Sequence, residues 1–167
     1  MQEHKPGSVE KVIYTTSSIL MYISTGLLLV MLLLGTADVL GRYLFNNPIT
    51  GTQEIFEILL PGIVLLGWAY AQRVKSHVTV DIIYNRFSPR LKAIAGLFIT
   101  SLAIVITALI VWQGIVESMA NFQMGRMIRN IDVPIFIPQL LVPIGAFSLF
   151  LVLIIDFSRY IRKIKKG

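Results

Sequence analysis

The sequence predicts an all-α integral membrane protein with four transmembrane helices, short interfacial amphipathic segments and both termini cytoplasmic. Composition is the first reason. Of the 167 residues, 55% are hydrophobic and 14% charged, and a mean hydropathy of +0.74 belongs to membrane proteins rather than water-soluble domains. The second is distribution: the apolar residues gather in runs at 15–37, 49–72, 93–116 and 133–155, each long enough to cross a hydrocarbon core of about 30 Å as a helix. These runs define a single membrane domain over residues 1–167. The third is charge: 12 of the 15 Lys and Arg lie in the two tails and the loop between spans two and three. The positive-inside rule therefore places those three segments in the cytoplasm.

Span one is smooth and Leu-rich, and the acid in Met1-Gln-Glu-His-Lys5, the long apolar run and the lack of a small-residue cleavage site argue that it is retained. It leaves the membrane through Asp38 and Arg42, whose i, i+4 spacing makes them a candidate ion pair. They are expected as solvated charges on a short helix extension, before Asn46-Asn-Pro48 turns the chain.

Span two is the informative one, because it carries Glu54 and Glu57 near its start. From Glu57 to Arg73 a helix rises only about 24 Å, so a span ending at Arg73 must take the acids to the hydrocarbon edge or inside it. Acids there are satisfied by the positive end of the helix or by a cation on a neighbouring chain. Thr50 or Thr52 is the expected N-cap, and Pro61 should kink the helix or loosen its hydrogen bonds. In the loop that follows, Arg73, His77 and Asp81 would share a face if the helix continues. A cytosolic interfacial helix is expected there, since an isolated strand would have no sheet to join.

Span three offers Gly96, Ser101, Thr107 and Ala108 for close helix contact. Residues 118–131 then mix Met119, Phe122, Met127 and Ile131 with polar groups, as an interfacial amphipathic segment does. This segment carries Arg126 and Arg129. Span four opens with Pro134, Pro138 and Pro143, so its first turns are not expected to be ordinary helix.

The chemistry is restrictive. Spans one, three and four hold no Asp, Glu, His, Lys or Arg, which disfavours a self-sufficient pump. Both His lie outside the spans, so a membrane haem site is not expected, and the lack of Cys excludes thiolate metal sites and thiol catalysis. No nucleophile–base constellation, phosphate loop or metal cluster is present. No enzyme activity and no cofactor are therefore predicted. The pI of 9.8 reflects juxtamembrane Lys and Arg facing lipid headgroups rather than nucleic acid. What remains is a partner-binding membrane subunit, with a homo-oligomeric channel or proton-coupled exporter using Glu54 and Glu57 as the alternative.

The runs Asp38-Val-Leu-Gly-Arg-Tyr-Leu-Phe45, Pro48-Ile-Thr-Gly-Thr-Gln-Glu54, Gly67-Trp-Ala-Tyr-Ala-Gln-Arg73, His77-Val-Thr-Val-Asp81 and Asp132-Val-Pro-Ile-Phe-Ile-Pro138 together resemble the DctQ-type small membrane subunit of tripartite ATP-independent periplasmic (TRAP) transporters. Gln53 stands where some relatives have a second acid, and Gly51 where some have Trp. The resemblance implies a large membrane subunit that carries substrate and sodium, a periplasmic protein that captures an organic anion, and residence in the bacterial inner membrane. It makes Glu54, Glu57, Arg73, His77 and Asp81 partner-interface candidates. With this chain as scaffold and docking surface, Arg126 and Arg129 become candidates for docking the periplasmic protein. No residue of this chain is expected to bind substrate.

Overall fold

The structure is a computed structural model that describes residues 7–74, 89–129 and 131–166. Its helices are α1 (Ser8–Phe45), α2 (Thr52–Arg73), α3 (Pro89–Gln123), the one-turn α4 (Phe136–Gln139) and α5 (Leu141–Lys166). Four segments are long and apolar enough to cross a membrane: Ser8–Phe45, Thr52–Arg73, Ile94–Gln123 and Phe136–Arg162. The described residues contain no strand, only an isolated bridge between Met127 and Pro134.

The helices outrun the apolar stretches because charged residues, whether solvated or paired, continue a helix end without breaking it. Thus α1 continues through Asp38 and Arg42 and stops where Asn46 adopts φ 50°. There the N–H of Asn47 closes back onto the carbonyl of Gly41 at 3.1 Å, the bond pattern that ends many helices through a left-handed residue. The start of α2 differs from the expectation of a Thr cap. Its N-cap is Gly51 at φ 87° with no side-chain cap hydrogen bond, while the hydroxyl of Thr52 donates backwards to the carbonyl of Ile49 at 3.0 Å. The turn demands a left-handed residue, and a Cβ at position 51 would come within 2.5 Å of the Ile131 side chain. Glycine satisfies both requirements.

Pro61 lies inside α2, which remains a single helix, and Ser24 of α1 donates its hydroxyl to the carbonyl of Ile63 at 2.8 Å. A side chain from the neighbouring helix thus reaches the α2 backbone just past the proline.

The core centres on α5. Helices α2 and α3 pack most extensively against it, and α1 packs chiefly on α2. Ala69, Leu149, Val152 and Leu153 form the buried cluster, with Ile13, Ala103 and Ile104 against it. The α2–α5 crossing is close. A Cβ on Gly145 would stand 2.6 Å from the backbone of Leu65 and Leu66, and one on Gly62 would stand 2.5 Å from Leu141 Cβ. With lipid as apolar as the interface, such backbone approach and its dispersion contacts are a principal source of helix association. On α3, the small residues divide: Gly96 faces Tyr160, whereas Ser101 and Thr107 return their hydroxyls to carbonyls of their own helix.

The polar stretch after span three splits into two structures. Its first half continues α3 to Gln123; after Gly125, at φ 59°, the backbone doubles back. The N–H of Ile128 donates to Val133 O at 2.8 Å, and that of Ile135 to Arg126 O at 3.1 Å. Ile128 is buried, while Met119, Phe122 and Met127 stay exposed. The prolines mark the entry to the last span: α4 makes one turn, Leu140 links it to α5 with helical φ −60° and ψ −20°, and α5 begins with Pro143 in its first turn.

Candidate functional site

Two polar clusters lie at opposite ends of the helices. At the end nearest both termini, Arg73 Nη1 donates to the carbonyl of Tyr14 at 2.7 Å and to Ser18 Oγ at 2.8 Å. Its guanidinium lies over the rings of Tyr14 and Tyr70, 5.4 and 4.8 Å from their centroids. One turn of α2 therefore grips the start of α1 by hydrogen bonds and ring stacking, which Arg provides together. Beside it, Gln72 Nε2 donates to Asp156 Oδ2 at 3.0 Å. Arg159 approaches Asp156 at 3.8 Å and Glu10 at 3.5 Å. Asp156 is a buried carboxylate, and its two neighbours offset the cost of removing it from water. Helices α1, α2 and α5 are joined here.

Of the three residues grouped by their loop spacing, Arg73 turns to α1, while His77 and Asp81 lie outside the described residues. Glu10, Tyr14, Gln72, Asp156 and Arg159 were not singled out from sequence. The available signal was Asp156 itself, an acid closing the last apolar run one turn before a basic residue.

At the other end, Asp38 is not the solvated charge expected. It is only 5% exposed; its Oδ2 receives Arg42 Nη2 at 3.0 Å, and its Oδ1 receives the backbone N–H of Ile49 at 2.7 Å. The carboxylate is buried because the chain returning towards α2 folds over it. Nearby, the last turn of α3 is tied to α4 by Asn121 Nδ2 donating to Gln139 Oε1 at 2.8 Å and by edge-to-face contact of Phe122 with Phe136 at 5.0 Å. Arg126 and Arg129 are exposed on the turn that follows α3.

Glu54 is half-buried and Glu57 exposed. Glu57 belongs to an outward stripe of α2 that continues through Leu60, Val64 and Trp68, which are 47%, 52% and 43% exposed. Among the described residues Glu57 has no ion-pair partner. No group of three or more His, Asp or Glu gathers among the described residues to hold a metal.

These features define a multi-pass helical membrane protein whose internal polar groups join helices and which carries exposed charges such as Glu57, Arg126 and Arg129. Residues 31–163 match the family model of the tripartite ATP-independent periplasmic transporter DctQ component. The chain belongs to that family, as a small membrane subunit of a TRAP transporter. No curated protein and no solved structure matches it. The family as a whole works with a large membrane subunit and a substrate-binding protein.

Proposed function

We propose that this subunit scaffolds the large membrane subunit in the inner membrane and helps dock a periplasmic substrate-binding protein during sodium-driven uptake of an organic anion. Both termini would face the cytoplasm. The observation that carries the scaffold reading is Glu57: an exposed carboxylate on an apolar stripe, about 24 Å along α2 from Arg73 and so within reach of a hydrocarbon core about 30 Å thick. A carboxylate facing lipid is costly; one facing a basic residue on a partner helix is stabilised. The stripe Leu60, Val64 and Trp68 supplies the apolar remainder of such a seam. Family membership favours this reading over a homo-oligomeric channel built on Glu54 and Glu57. In this reading, Arg73, with His77 and Asp81, fixes the inner end of span two.

The test is co-purification of the tagged chain with the large subunit from native membranes, for wild type, Glu57→Ala and Glu54→Ala. The seam predicts that Glu57→Ala loses the partner while Glu54→Ala, at the positive end of the helix, retains most of it. Unchanged recovery and uptake in the Glu54→Ala, Glu57→Ala double variant would sink the seam.

A further inference from the structure

Between α1 and α3, over the face of α5, lies a cleft of about 480 Å³ lined by residues such as Val12 and Thr16 of α1, Ile115 of α3, and Ile144, Phe147 and Ser148 of α5. Its walls are apolar apart from the hydroxyls of Thr16 and Ser148. A volume of about 480 Å³ falls within the ~300–1,000 Å³ typical of small-ligand sites, and a single flexible hydrocarbon chain suits its apolar walls.

Among the described residues, charge is one-sided. The cleft begins at Val12, beside exposed Lys11 and two residues from Glu10, whose carboxylate meets Arg159 at 3.5 Å. Ile144 and Arg162 are separated by about five helical turns at 3.6 residues per turn, so Arg162 shares the azimuth of the cleft wall. Its exposed side chain lies at the end where the fourth span stops. Near the opposite end, one turn of α3 beyond Val111 and Ile115, the nearest charge on that helix is Glu117. An occupant with an apolar tail and an anionic head therefore has one favourable orientation.

The geometry points to a binding site for an anionic phospholipid, with one acyl chain in the α1–α3–α5 cleft and its phosphate beside Lys11 and Arg162. The apolar walls hold the chain whatever its headgroup; the two cations select the charge. Arg159 contributes less, because it already faces the carboxylates of Glu10 and Asp156, whereas Arg162 donates to the carbonyl and hydroxyl of Ser158 on its own helix at 3.3 and 3.4 Å and keeps its positive charge for an anion.

The experiment places single Trp reporters in a Trp68→Phe, Trp112→Phe background. One, Phe147→Trp, reports on the cleft; the other, Leu109→Trp, replaces an exposed residue of α3 outside it. The full-length protein is reconstituted in phosphatidylcholine vesicles with increasing brominated phosphatidylglycerol, whose bromines quench Trp fluorescence on contact. The site predicts half-maximal quenching at position 147 at a several-fold lower mole fraction than at position 109. Adding Lys11→Gln and Arg162→Gln should erase that difference. Brominated phosphatidylcholine, read in the protein with both cations intact, should quench the two reporters alike. Superimposable phosphatidylglycerol curves would overturn the site, as would a position 147 that neither lipid quenches. Early saturation at 147 with both lipids would overturn the selection of anionic headgroups.

Discussion

Asp38 Oδ1 accepts the backbone N–H of Ile49 at 2.7 Å, so a side chain near the end of α1 fixes the chain where it returns to α2. Asp38→Asn keeps a carbonyl for that bond and loses the charge facing Arg42, which is half exposed; its cost should stay within about 1 kcal/mol. Asp38→Ala abandons a partly buried N–H and should cost about 1–3 kcal/mol. Thermal unfolding in detergent of both variants reads the order, and equal losses would refute it.

Gly145 sets the spacing of α2 and α5. Gly145→Ala should destabilise by about 1–3 kcal/mol, because its methyl group meets backbone rather than a movable side chain. Gly26→Ala in α1 has nothing within 4 Å and should be neutral or stabilising by up to about 1 kcal/mol. Equal melting temperatures for the two would disprove the close crossing.

Arg73 and Arg159 both lie over the ring of Tyr14, at 5.4 and 5.7 Å, but their polar contacts differ. Arg159 is 36% exposed and stands 3.5–3.8 Å from its acids, so Arg159→Gln should cost only about 0.2–1 kcal/mol. Arg73→Ala removes two short hydrogen bonds and two ring contacts, and should cost about 1–3 kcal/mol. Hydrogen exchange at the first turns of α1 should quicken much more in Arg73→Ala; identical exchange in the two would contradict this ranking.

The cysteine-free chain allows its sidedness to be read directly. With both termini cytoplasmic, as the basic residues predict, Asn46→Cys in intact cells should react with an impermeant thiol reagent, and Lys11→Cys should react only after lysis. Labelling of position 11 from outside would reverse the topology.

The proposed docking through Arg126 and Arg129 would be an exposed-charge effect and should fade with salt. The Arg126→Ala, Arg129→Ala double variant should need several-fold more binding protein for half-maximal uptake at low potassium chloride, then converge on wild type at high salt with sodium held fixed. Curves that coincide at every salt would assign both arginines to lipid headgroups.

The four helices were legible because hydrocarbon thickness leaves a direct imprint on sequence length. Contacts between helices leave none. Spacing puts Asp38 and Arg42 on one face but carries no information about Ile49, eleven residues from Asp38, closing over the carboxylate. Gln72 and Asp156 are 84 residues apart, so neither has a local signature of the other. The start of α2 was misread for a related reason: Thr50 and Thr52 satisfy local capping preference, but contact with Ile131 selects Gly51. Gly62 and Gly145 read as ordinary small residues until the crossing shows what each approaches.

The arrangement of α3 bears on how the chain enters a membrane. Among the described helices it packs extensively only on α5, with smaller contact to α4, and α5 is the last to be synthesised. During biogenesis α3 must therefore reside in lipid before its principal neighbour exists. A span in that position has to be stable by itself, and α3 carries the most hydropathic segment of the four. Assembly can then finish when α5 slides in, its Gly145 side meeting α2 and its other side collecting the waiting α3.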